Sequence, residues 1–402
     1  MYSLNHQGFN RCDLFIIVWV LYYLQGIAYP EGGMISIGLL AINLLVSMVC
    51  AVKVMRMPGK PVYFKGLNIL VGLFTIYGLA YIAFNPVSIY YQQPGISVKS
   101  YNYLKSIYLS LLPIYPFYYY TKKGYLSEER LKLFGGVFLL SIVLSYFNEQ
   151  QKALEKLIEI GSHAEETTNN AGYLFLSFIP LLTLYRKKPL LQFAALSLVM
   201  VFIVMGMKRG AIAIGAVTFV YFLFQAIKNS KREKKVILIF LSFVLCLLVV
   251  YFFIYQMKSD DYIMQRIEET LEGNSSGRDS LYSFFWNYFV HDASFIHFLL
   301  GRGANGTLEI YYNYAHNDWL EIAVNQGLLG VIIYFVYWKN MYATWKNATN
   351  VDAKAIIAMA IIVYFAKTLF SMSYGDMTYV FTSVLGYALA NVNASNNLLL
   401  YE

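Results

Sequence analysis

Residues 273–330 read GNSSGRDSLYSFFWNYFVHDASFIHFLLGRGANGTLEIYYNYAHNDWLEIAVNQGLLG. This stretch decides the fold, because most of what surrounds it is apolar enough to lie in lipid and it is not. It carries Arg278, Arg302, His291, His297 and His316, with Asp279, Asp292, Glu309, Asp318 and Glu321. Seven glycines punctuate it: Gly273, Gly277, Gly301, Gly303, Gly306, Gly327 and Gly330. Polar, cationic, glycine-broken sequence between apolar segments is where a membrane protein does chemistry. The other helices then serve to hold it.

Outward from this stretch, the 402 residues are 58% hydrophobic and 13% charged, with mean hydropathy +0.50. Ordinary soluble chains are roughly 25% charged. Spread over the whole length, that composition predicts an all-α polytopic membrane protein, one integral-membrane domain over residues 1–402. Twelve spans are expected, at 13–29, 34–52, 67–84, 101–120, 133–148, 171–185, 189–206, 210–227, 236–256, 319–338, 354–371 and 375–392. Each lies near the ~20 residues that cross a bilayer. Pro113 and Pro116 predict a kink in the fourth. The first span lacks a basic leader and a small-residue cleavage site, so no cleavable signal peptide is expected. Cys50 and Cys246 fall in apolar spans and Cys12 beside one, so no disulfide is expected.

Charge orients the chain. With both termini inside, the cytoplasmic loops hold 20 of the 31 basic residues, among them Lys53, Arg56, Lys122, Lys123, Arg186, Lys234 and Lys346. The net charge of +8 therefore reports topology and does not call for nucleic acid. Three outer features break the pattern. Residues 148–170 form a shorter outer loop that reads as an amphipathic surface helix. Lys208 and Arg209 form a basic pair in a tight outer turn. The long outer loop 257–318 opens with Ile263, Ile267 and Leu271 on one helical face. Its aromatic middle suits an interfacial helix, and Asp292 is placed to cap a short helix that Gly301 ends.

The most specific pattern is His316-Asn317, nine residues, then Gly327-Leu328-Leu329-Gly330. It puts a histidine at the mouth of a span, just before a helix that Asn317 or Asp318 can cap. The glycines allow a neighbouring helix to approach deeper in the membrane. A histidine there can act as a general base near neutral pH, or can be an interfacial residue without a role.

With this pattern the chain resembles the O-antigen ligase and O-antigen polymerase superfamily of bacterial membrane glycosyltransferases. The match at 316–330 is ungapped, and Gly277-Arg278, Gly301-Arg302-Gly303, Lys208-Arg209-Gly210 and the long loop before His316 are similar too. The resemblance implies a GT-C-like bundle in the bacterial inner membrane with its active face periplasmic and both termini cytoplasmic. It implies transfer of a glycan from an undecaprenyl-pyrophosphate carrier to an acceptor hydroxyl, on a growing glycan or on a lipid A-core, without a metal or other cofactor. His316 is then the base, and Arg209, Arg278, Arg302 and Lys208 are pyrophosphate ligands. Asn317, Asp318, Glu321, Gly327, Gly330 and Asn170 support the site, with Asp318 and Glu321 as alternative bases.

Plainer readings stand beside these. Arg209 can anchor a helix end by snorkelling. Arg278 can pair with Asp279 or Glu272, Arg302 can sit in a simple turn, and Asn170 can cap the sixth span. His291 and His297 do not share a helical face with ligand spacing, so no zinc site is expected. Polymerase is preferred to ligase because surface-polysaccharide pathways hold many polymerase-type genes. A twelve-span flippase is the rival of another class. It calls for two similar six-helix halves, and no half-repeat is visible.

Overall fold

The computed structural model describes residues 8–84, 89–91, 96–160, 171–206, 208–259, 278–375 and 378–393. Among the described residues, six helices are long and apolar enough to cross a membrane: Met34–Arg56, Tyr63–Phe84, Glu128–Asn148, Arg209–Lys228, Asp318–Asn347 and Val351–Phe370. They coincide with six of the expected spans, and the chain is an all-α, multi-pass membrane protein.

The N-terminal half contains α1 (Arg11–Tyr23), α2 (Met34–Arg56), α3 (Tyr63–Phe84), α4 (Tyr101–Leu111), α5 (Ile114–Lys122) and α6 (Glu128–Ile160). Asn10 and Asp13 close a reciprocal capping box at the start of α1. The break expected in the fourth span falls at Pro113, which separates α4 from α5. A short antiparallel pair, β1 (Ile89–Tyr91) with β2 (Ile96–Val98), follows α3 and was not expected. The surface helix expected at 148–170 is, as far as Ile160, a continuation of α6. No glycine or proline stands between Val137 and Ile160 to stop it.

Next come α7 (Ala171–Leu176), α8 (Ile179–Leu182), α9 (Pro189–Met205), α10 (Arg209–Asn229) and α11 (Arg232–Ser259). The loop region supplies α12 (Arg278–Asn287), α13 (Phe295–Leu300) and α14 (Gly306–Tyr311). The expected amphipathic run through Ile263, Ile267 and Leu271 lies outside the described residues. Ser294, not Asp292, caps α13 by accepting from the His297 N–H, because a helical turn extends through Asp292 before the chain straightens at Ala293. Gly301 ends α13 in a left-handed conformation, φ 74°. The chain closes with α15 (Asp318–Asn347), α16 (Val351–Phe370) and α17 (Tyr379–Ala390).

Small residues set the closest crossings. A Cβ on Gly66 of α3 would stand 2.9 Å from Tyr337 Cα of α15, and one on Gly386 of α17 2.7 Å from Phe117 Cβ of α5. The helix α3 runs antiparallel to α15. Tyr63 N–H donates to Thr344 Oγ1 at one end (3.1 Å), and the Tyr77 hydroxyl donates to Leu300 O at the other. The basic loops gather at the Thr344 end, where Arg186 pairs with Asp352 at 2.5 Å and Arg130 bonds to Asp13. His316 lies at the opposite end.

Candidate functional site at the end of the sixteenth helix

An α-helix leaves its last carbonyls without intrahelical donors and concentrates negative potential there. The C-terminus of α16 uses both properties. Arg278 Nη1 donates to Phe370 O (3.0 Å), and Tyr173 Oη to the same oxygen (3.4 Å). Asn317 Nδ2 donates to Leu369 O (3.3 Å). Tyr282 Oη lies 3.3 Å from Leu369 O and 3.2 Å from His316 O, so its single proton serves one of them at a time. Three separate segments, α7, α12 and the start of α15, are thereby drawn to one helix end. In the same last turn Lys367, 2% exposed, holds its ammonium 5.5 Å from the Tyr173 ring centre and 5.6 Å from that of Tyr364.

His316 sits just before α15, half-buried, with a left-handed backbone, φ 50°. That region is uncommon for residues other than glycine, though histidine is among those enriched there. Its pKa is pushed down from 6.5 to about 4, first by burial, then by the charges of Arg278 and Lys208. The direction is the one expected from nearby cations, but burial is the larger cause. The ring is therefore neutral at pH 7 and able to accept a proton.

Lys208 precedes α10 as its N-cap, and Arg209 is the first residue of that helix. Gly210 packs so closely that a Cβ there would meet Phe370 Cβ at 2.8 Å. The pair is thus carried to the same helix end as Arg278. The structure brings His316, Arg278 and Lys208 within electrostatic reach of one another, with Arg209 in the adjoining first turn. Asn170 lies outside the described residues.

Asn317 caps α15, accepting from Trp319 N and Leu320 N at 2.9 and 3.2 Å. Asp318 and Glu321 are buried and fully engaged. Asp318 accepts from Ser373 N (2.7 Å) and Tyr334 Oη (2.6 Å). Glu321 accepts from Thr307 Oγ1 (2.5 Å), Asn325 Nδ2 (2.9 Å) and Ala315 N (2.7 Å). They tie the segments on either side of His316 to α15.

Gly327 breaks α15 from within, at φ 68° and ψ −165°. Carbonyls before the break lose their helical donors, and backbone from the preceding loop replaces them. Arg302 N–H donates to Val324 O and Gly303 N–H to Asn325 O, both at 2.9 Å. Gly327 thus admits a loop backbone where a helix was expected. Gly330 differs again: a Cβ there would meet Ile322 Cγ2 at 2.9 Å, within its own bent helix. The Arg302 side chain is committed to Glu309 Oε2 and Tyr288 Oη, each at 3.2 Å.

Sequence reasoning passed over Tyr173, Tyr282 and Lys367. Tyr282 stands one helical turn after Arg278, a legible signal. Lys367 is a charge inside an apolar span, which is by itself a functional-site signal.

Residues 193–335 match a family model described as O-antigen ligase. Among curated proteins none matches. The matched segment begins in α9 and runs into α15, so it contains Lys208, Arg209, Arg278, His316 and the break at Gly327.

Proposed function

We propose that this chain, whose residues 193–335 match a family model described as O-antigen ligase, transfers a glycan from an undecaprenyl-pyrophosphate carrier to an acceptor sugar hydroxyl. The reaction we put first is polymerisation of O-antigen or related repeat units, with ligation to a lipid A-core as the alternative. The observation that carries the proposal is a neutral His316 flanked by Arg278 and Lys208 at one end of the bundle.

In this reading His316 takes the proton of the acceptor hydroxyl. The hydroxyl oxygen bonds to the anomeric carbon, and the carbon–oxygen bond to the pyrophosphate breaks. The pyrophosphate leaves with the bonding pair, its charge met by Arg278, Lys208 and Arg209. The carboxylates of Asp318 and Glu321 act as struts, since each already accepts two or more hydrogen bonds. A bound pyrophosphate also offsets the cations that depress His316, so the ring becomes a stronger base once the donor is in place.

The orientation belongs to the proposal. Twelve crossings, cytoplasmic termini and outer loops at 148–170 and 257–318 would put His316 on the periplasmic face of the inner membrane. The gathering of basic loops at the other end of the bundle supports this. Reporter fusions after Arg186 and Lys234 should read cytoplasmic, and a fusion near Ser275 external. An external signal at Lys234 would overturn the topology.

Deleting the gene and resolving the surface glycan on a gel tests the reaction. Polymerase loss leaves single repeat units on the final acceptor. Full-length chains stranded on the carrier lipid instead assign the ligase. An unchanged glycan removes the proposal.

A further inference from the structure

At the end of the bundle away from His316, a cavity of about 430 Å³ opens between α1, α2 and the end of α5. Arg11, Lys53 and Lys123 line it, one from each of three chain segments, and among the described residues none that lines it is acidic. The carboxylate near Arg11 is already taken, since Asp13 is buried and bonded to Arg130. Lys53 and Lys123 both approach the ring of Tyr119, at 5.1 and 6.0 Å from its centre. Two ammonium groups on one ring repel each other, and three cations without a carboxylate leave the cavity with uncompensated positive potential. An anion relieves it.

The remaining lining says what kind of anion. Leu45 and Val49 of α2 belong to the cavity wall, yet Leu45 is 63% and Val49 45% exposed. They sit on a helix long and apolar enough to span the bilayer, so their exposed faces meet acyl chains. The space is also several times that of a phosphate group, leaving room for glycerol and headgroup atoms. Cations at the helix ends with an apolar wall running away from them match the two parts of a phospholipid.

We propose that this cavity is a binding site for an anionic phospholipid, its phosphate held by Arg11, Lys53 and Lys123 and its chains lying along Leu45 and Val49. The site is independent of the transfer chemistry.

The test uses the full-length protein purified in detergent, with retained lipid read by native mass spectrometry. Phosphatidylglycerol should be retained at least tenfold over phosphatidylcholine. Neutralising the three cations together (Arg11→Gln, Lys53→Gln, Lys123→Gln) should remove that preference. Neutralising Arg56, Lys65 and Lys122, exposed basic residues near the same end but outside the cavity, should leave it intact. Equal loss in both triple variants would mean a diffuse basic rim and overturn the site. Displacement of the lipid by millimolar inorganic phosphate would also overturn it, in favour of a free-anion site. Should the cavity triple variant fail to purify, Lys53→Gln alone must lower the preference severalfold while Lys53→Arg keeps it. An unchanged preference in Lys53→Gln decides against the proposal.

Discussion

His316→Ala is expected to abolish glycan transfer while the protein still inserts and still retains carrier lipid. A sugar hydroxyl is a poor nucleophile at neutral pH, and a positioned base accelerates its attack by ~10²–10⁴-fold. His316→Gln keeps reach and hydrogen bonding but cannot carry the proton, so it should be equally inactive. The pH profile gives a second readout. Protonation removes the base, so rate falls as pH drops through its pKa. In the free enzyme that pKa is about 4, so the acid limb of kcat/KM should lie well below histidine's ordinary range. With donor bound, the pyrophosphate offsets Arg278 and Lys208, and the acid limb of kcat should lie higher. Folding is linked to the same shift. Between about 4 and 6.5 the unfolded ring holds a proton that the folded ring does not. The stability from this group is therefore complete above 6.5 and falls as pH drops toward 4. If His316→Gln keeps most of the activity, the ring only positions a ligand.

What surrounds His316 was only partly legible in the sequence. The histidine, the Asn317 cap and the Pro113 break could be read because each depends on a side chain of distinctive chemistry at a fixed place relative to a helix end. The carbonyls of Leu369 and Phe370 could not, since every residue has a carbonyl and only the fold decides which are left without donors. The surroundings of Asp318 and Glu321 were hidden for a related reason. Acidic residues in a first helical turn commonly serve the helix dipole or solvent, and nothing in their spacing announced that both would be buried against Ser373 and Thr307. Arg302 was open to a phosphate or a turn. The structure pairs it with Glu309 seven residues on, in a loop too irregular for periodicity to predict. The His316 pattern pointed to this end of the bundle, and backbone hydrogen bonding, which has no sequence signature, holds its segments together.

Gly327→Ala should produce the largest loss of stability. The residue has φ 68°, a left-handed conformation that side chains rarely adopt. A Cβ there would also stand 2.5 Å from Gly301 N and from Leu299 C, backbone atoms that cannot rotate away. Strain and overpacking of this kind each cost about 1–3 kcal/mol, and together they exceed what most single substitutions do. Relief requires the loop after α13 to retreat, and retreat breaks the bonds from Arg302 N–H and Gly303 N–H to Val324 O and Asn325 O. Those carbonyls lie before the break, so the helix cannot recover them without straightening, which Gly301 then blocks from the other side. Gly330→Ala should also destabilise, since its Cβ would stand 2.4 Å from Gln326 Cβ, an atom fixed to the backbone, but it should cost less than Gly327→Ala because Gly330 has no left-handed backbone to strain. Gly136→Ala, in α6 with nothing within 4 Å of the added carbon, should be close to neutral. Thermal unfolding of the three variants in detergent orders them. If Gly327→Ala melts with Gly136→Ala, the break in α15 is incidental, and the glycine is not what holds the loop against the helix.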